Sequence, residues 1–240
     1  MGPGPVTGPK ASCDMAAGDA SLLLCVTFDH NPMVQDLSSY AHVVTEAMGV
    51  MPIDHNGTST AASLVTTSRI HVADHDRFDV TKLTIDMWIA PAASSLGHRS
   101  WILDNNTQYF LTYESDGKVR CGIGSKVATS NTSITDSTWH HVACTYDTNQ
   151  QLRVYVDGDR SGCIDNVTGI PTGGKDGIAI GANYGTSGTY AENYVGSIDG
   201  VHVLGRAMSD TDICTAAGKQ SCRTMSCNQS GPGPGDGPGD

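Results

Sequence analysis

Between about residues 20 and 206 the apolar and polar positions form a succession of short alternating runs separated by turn-forming residues. In LTIDMWIAP, Leu83, Ile85, Met87 and Ile89 fall on one face of an extended chain and Trp88 on the other, because strand side chains alternate. In QLRVYVDG, Leu152, Val154 and Val156 share a face, and Asp157-Gly158 closes the run with a hairpin-turn pair. DGIAIGANYG and GSIDGVHVLG read as two further strands punctuated by glycine. In STWHHVACTYD the same alternation sets Trp139, His141, Ala143 and Thr145 against His140, Val142, Cys144 and Tyr146, so the adjacent histidines point opposite ways. Helical periodicity is confined to AMSDTDICTAAGK, where Ser209 is placed to cap a short helix over 210–217 that ends near Gly218. The pattern predicts an all-β fold, an antiparallel β-sandwich with one short C-terminal helix.

Three segments follow: a Pro/Gly-rich linker over 1–19, one β-sandwich domain over 20–218, and a Cys-containing, Gly/Pro-rich tail over 219–240. The last ten residues, GPGPGDGPGD, offer nothing to bury and do not keep the period of three that a collagen helix needs. Linker sequence at both ends predicts a module of a larger multidomain protein. The longest apolar run, SLLLCVTF, is well short of the roughly 20 residues of a membrane span. Met1–Lys10 has no apolar core of the kind a signal peptide carries.

Charge and cysteine narrow the class. The 240 residues carry 14 Lys and Arg against 25 Asp and Glu, a net charge of −11, with the basic residues scattered singly. Nucleic acid is therefore not an expected partner, since it needs a basic footprint. Eight cysteines without a CxxC spacing predict disulfides, and hence a secreted or cell-surface location. Cys121 and Cys144 lie in strand-like segments joined by one connection and are expected to pair, facing each other in a ladder. Sequons occur at Asn56, Asn105, Asn131, Asn166 and Asn228.

The order of motifs is more specific than any one of them. VTFDHNPMVQDLSS, LTIDMWIAP, TWHHVACTYD, LRVYVDG, IAIGANYG and YVGSIDGVHVLGRAMSDTDI follow one another over roughly residues 22–214. This series resembles the laminin G-like, concanavalin A-like jelly-roll family, close to its pentraxin-related branch. The resemblance implies that Trp139 and His141 pack within the sandwich as structural residues. It also implies that the first strand neighbours the last, with a calcium ion at that rim held by Asp29, Asp36 and Asp199, and Asn31 or backbone carbonyls completing the shell. Asp199, expected on one strand face with Val201 and Val203, needs a partner there: a metal, or else backbone hydrogen bonds.

Catalytic signatures are sparse. Glycoside hydrolysis needs two carboxylates about 5 to 9.5 Å apart, and the family's glucanases present them as Glu-x-Asp-x-x-Glu. No Glu-x-Asp occurs in the chain, and VADHDRFD, with Asp74, Asp76 and Asp79, reads as a solvated turn. Gly-x-Ser-x-Gly and a P-loop are also missing. Sugar binding on a β-sandwich instead joins an aromatic platform to polar side chains. Tyr184, Tyr190 and Tyr194, with Asn183, lie on glycine-rich sequence suited to that role, and Trp101 beside Asp104–Asn106 is a second candidate. The expected function is a non-catalytic extracellular recognition or adhesion module binding glycan or a protein partner. A structural spacer and a fragment of a carbohydrate-active enzyme are the alternatives.

Overall fold

The structure is a computed structural model that describes residues 13, 19–55, 57, 59–106, 108–147, 151–185 and 188–227. The linker over 1–10, the last ten residues and the sequons at Asn56 and Asn228 lie outside the described residues. Two antiparallel sheets face each other. One contains β1 (Leu22–Val26), β3 (Met51–His55), β4 (Ser59–Leu64), β6 (Leu83–Pro91), β11 (His140–Tyr146), β12 (Leu152–Val156), β13 (Asp159–Ile164) and β17 (Gly196–Leu204). Its order is β13-β12-β11-β6-β17-β4-β3, with β1 also paired to β17, so the first strand does neighbour the last. The other holds β2 (Val44–Met48), β5 (Arg69–Val72), β7 (Ser100–Asn105), β8 (Tyr109–Tyr113), β9 (Lys118–Ile123), β10 (Lys126–Ser133) and β14 (Ile178–Ile180). It runs in the order β10-β9-β8-β7-β14-β5-β2.

Alternation fixes which residues fill the space between the sheets. Leu83, Ile85, Met87 and Ile89 of β6 meet Val142, Cys144 and Tyr146 of β11 in the main core, together with Leu111 and Cys121 from the facing sheet. The β12–β13 turn is built on Asp157 and Gly158, both at positive φ, as a two-residue hairpin requires. A smaller core lies on the outer side of the eight-stranded sheet. There Leu22, Ala143, Tyr155 and Leu204 pack against Met208, Ile213 and Ala216 at helix α1 (Asp210–Ala216). Ser209 caps that helix, its hydroxyl accepting from the Asp212 N–H while the Asp212 carboxylate accepts from the Ser209 N–H.

Three expectations change in place. His141 is buried, but on the outer face of its sheet rather than between the sheets, because Val142, Cys144 and Tyr146 occupy the inner one. Its ring meets Trp88 edge-on at 5.4 Å, and Trp139 stacks at 4.0 Å on His55, so both serve as packing on that outer side. Asp199 does not share a face with Val201 and Val203. A bulge between Asp199 and His202, with Gly200 at φ 57°, adds a residue and turns Asp199 outward beside Trp88. Cys121 and Cys144 do form a disulfide, yet they join β9 to β11 across the core rather than within one ladder. The other pairs are Cys13–Cys25, Cys163–Cys227 and Cys214–Cys222, so residues near both ends are tied to the sandwich.

Candidate functional site

After β14 the chain turns at Gly181 and forms a two-stranded hairpin, β15 (Asn183–Tyr184) with β16 (Tyr190–Ala191). Tyr184 pairs with Tyr190, their rings 4.9 Å apart, and Asn183 pairs with Ala191. The hairpin lies against the outer face of the seven-stranded sheet, where Arg69 and His71 project because Ile70 and Val72 fill the core. The His71 ring sits 4.5 Å from Tyr184, and the Arg69 guanidinium lies 4.6 Å over Tyr190. Arg69 also pairs with Glu46 at 2.7 Å. Burial, and then the neighbouring Glu46 carboxylate, push the Tyr190 hydroxyl above the usual phenol range. Tyr184 and Tyr190 are thus half-buried, with ring faces turned toward neighbours.

Two further contacts fix the hairpin to the sheet. The Tyr184 N–H donates to the Asp104 carboxylate at 2.9 Å, and Trp101 is gripped by Glu192. The Trp101 indole N–H donates to the Glu192 carboxylate at 2.6 Å, and its backbone N–H to the Glu192 carbonyl at 2.9 Å. Glu192 takes a positive φ of 47°, turning the chain back toward the sandwich. That turn explains Tyr194, which is fully buried in the main core, 6.3 Å from Tyr113, and is not part of a ligand surface.

The returning chain and the segment after β6 enclose a recess of about 470 Å³, lined by Ser94, Ser95, His98, Arg99, Glu192 and Asn193, among others; Trp101 is not in the lining and reaches it only through its hydrogen bond to Glu192. Ser95 donates to the Val195 carbonyl at 2.5 Å and Asn193 to the Ser68 carbonyl at 2.8 Å, which holds the two walls together. Arg99 reaches Glu114 at 3.2 Å. Among the described residues Glu192 is the one carboxylate in the lining, beside hydroxyls, an amide, an imidazole and a guanidinium. Such a lining offers hydrogen-bond donors and acceptors of several kinds. Glu192, Asn193 and the serines were not singled out by the sequence. Trp101 and Glu192 are 91 positions apart, and only the flanking tyrosines and glycines hinted that this segment matters.

The aspartates expected to share an ion are divided. Asp36 is buried and accepts from the N–H groups of Cys25, Ser38 and His42 and from the Ser38 hydroxyl, so its oxygens hold together the turn after β1. Asp199 meets His55 Nδ1 at 2.6 Å and accepts from the Gly200 N–H at 2.8 Å. Burial pulls its carboxyl upward, and His55 opposes the rise. Asp29 accepts from the Thr60 N–H at 2.7 Å, and Asn31 is exposed. Among the described residues, the group of three such side chains close enough to hold a metal is Cys13, Cys25 and His202, and its two cysteines are a disulfide. Asp29, Asp36 and Asp199 thus each have hydrogen-bond partners of their own, and among the described residues the three are not one of the groups close enough to share an ion.

Two facing antiparallel sheets and a short capped helix define a jelly-roll domain. The chain belongs to the concanavalin A-like lectin/glucanases superfamily, whose laminin G-type family model matches residues 64–214. A relative in Rattus norvegicus, sushi, von Willebrand factor type A, EGF and pentraxin domain-containing protein 1, is 30% identical over 121 residues, which is 47% of this chain and 3% of that protein. Its name agrees with the pentraxin-related branch read from the motifs. Among solved structures, domain 4 of AbnA, a GH43 extracellular arabinanase from Geobacillus stearothermophilus, in complex with arabinotriose, superposes with a TM-score of 0.65 at 19% identity, covering 82% of this chain and 98% of that one. The binding domain of Paraclostridial Mosquitocidal Protein 1 does so with a TM-score of 0.64 at 16% identity, over 82% of this chain and 52% of that one. At these identities the likeness is one of fold. Among the described residues no helix is long and apolar enough to cross a membrane.

Proposed function

We propose that this domain is a non-catalytic recognition module that binds a neutral glycan in the recess beside Trp101. The observation that carries the reading is the lining itself: serine hydroxyls, the Asn193 amide, His98, Arg99 and one carboxylate in about 470 Å³, that carboxylate, Glu192, also accepting from the Trp101 indole N–H. That volume lies in the range of small-molecule sites, and polar groups on a rigid frame give orientation. The arabinanase domain, with its bound arabinotriose, supports the reading as a protein of the same fold. The tyrosines frame the site through Tyr184 and Tyr190, whose contacts with each other, His71 and Arg69 hold the hairpin down.

Four disulfides support an oxidising compartment, so the module is secreted or displayed at a cell surface. The relative's many named domains support membership of a larger protein. Internal hydrogen bonds engage Asp36 and Asp199, and a structural calcium ion at that rim is tested by melting with calcium and with chelator. The test is glycan-array binding by the intact chain and by Asn193→Ala and Glu192→Gln. Affinity for a neutral oligosaccharide should drop about tenfold in each variant, the effect of losing one good hydrogen bond. No binding by the parent chain would favour the spacer reading, and release of reducing sugar would revive the enzyme.

A further inference from the structure

A second recess of about 470 Å³ lies beside α1, at the end of β6 opposite the Trp101 recess: Lys82 directly precedes that strand, whereas Ser94 and Ser95 follow it. Its lining gathers four cations, Lys82, Arg153, Arg160 and Arg206, against two carboxylates, Asp147 and Asp210. The concentration is unexpected in a chain with 14 basic residues and a net charge of −11.

The four cations are not equivalent. Arg160 is held by Asp210 and by the Met225 carbonyl at 2.7 Å, and Asp210 also accepts from Tyr155. Arg153 is held by Asp147 at 2.7 Å. These two pairs form a fixed, largely neutralised floor. Arg206 pairs with Asp19, outside the lining, through Nε at 3.1 Å, and among the described residues its two Nη groups have no hydrogen-bond partner. Lys82 is exposed and has no ion pair among the described residues. Two cationic heads therefore converge on a concavity whose walls include Ala207 and Met208. A concave site lined by charges of one sign focuses their field on a bound anion.

We propose that this recess binds the carboxylate or sulfate group of an acidic sugar, with Lys82 and Arg206 in direct contact and the ring against Ala207. The anionic chemistry stands on the recess alone; the choice of a sugar as its carrier rests on the glycan reading above. The test is calorimetric titration of the intact chain with chondroitin 4-sulfate disaccharide, a neutral disaccharide and inorganic sulfate. The sulfated disaccharide should bind more tightly than inorganic sulfate, weaken as salt rises, and bind about tenfold less well to Lys82→Glu and Arg206→Gln. Glu192→Gln should leave this affinity unchanged, which separates the site from the Trp101 recess. Lys82 is exposed, so Lys82→Glu should keep the parent melting midpoint. No binding of the sulfated disaccharide, equal binding by Lys82→Glu, or sulfate alone binding as tightly as the sugar would each overturn the proposal.

Discussion

Replacing Asp104 by Asn should change how stability depends on pH, because this carboxyl lies under the hairpin that frames the site. Asp104 is 1% exposed, and one of its oxygens accepts from the Tyr184 N–H at 2.9 Å. Burial pushes its carboxyl up from 3.8 to about 7; the N–H groups of Tyr184 and Asn106 offset part of the rise, and Asp176 adds to it. A change of that size corresponds to on the order of 4 kcal/mol, at about 1.4 kcal/mol for each pH unit. The folded chain holds this proton more tightly than the unfolded chain. The contribution is therefore fully present below the unfolded value of 3.8 and is lost as pH rises through about 7. His42 and His141, both pulled down by burial, act in the opposite sense, so the parent curve alone mixes the effects. Urea unfolding of parent and Asp104→Asn across this range isolates the group. The stability of the parent relative to the variant should fall by about 4 kcal/mol as pH rises. A difference that stays constant with pH would refute the assignment.

Other outcomes follow from the same contacts. Replacing both Cys121 and Cys144 by Ala opens a link that spans 23 positions and should lower stability by about 3 kcal/mol, read by denaturant melts. The melting midpoint should be the same with calcium and with chelator, since Asp36 and Asp199 are already engaged; a rise with calcium would show that an ion binds the folded state. In a host that glycosylates exported chains, peptide mass analysis should find sugar at the exposed Asn131 and Asn166 and none at Asn105, which is 1% exposed.

The strands were legible because period-two alternation over β6, β11 and β12 is long and regular, and the helix because Ser209 stands where a cap is needed and Gly218 where the helix ends. The side of the sheet was not legible for His141. Alternation shows which residues share a face, but not which face looks inward when both are covered. Asp199 was misplaced because a single glycine in a strand reads equally as spacing or as a bulge, and here Gly200 makes the bulge. Tyr194 followed the hairpin tyrosines in sequence but lies beyond the Glu192 turn, which reverses its direction. Cys121 and Cys144 were paired correctly from strand-like neighbours, although their separation across the core needed the facing of two sheets. The recess itself joins segments about a hundred positions apart, which no local pattern encodes.

The chain has three tryptophans, and the indole N–H of one, Trp101, donates to Glu192 of the recess wall, so the most direct measurement follows their indole N–H resonances while an array-selected neutral oligosaccharide is titrated. Binding there shifts the Trp101 signal and leaves those of Trp88 and Trp139, on the other sheet's outer side, in place. Saturable binding that moves Trp88 or Trp139 instead, or moves none of the three, would contradict the account.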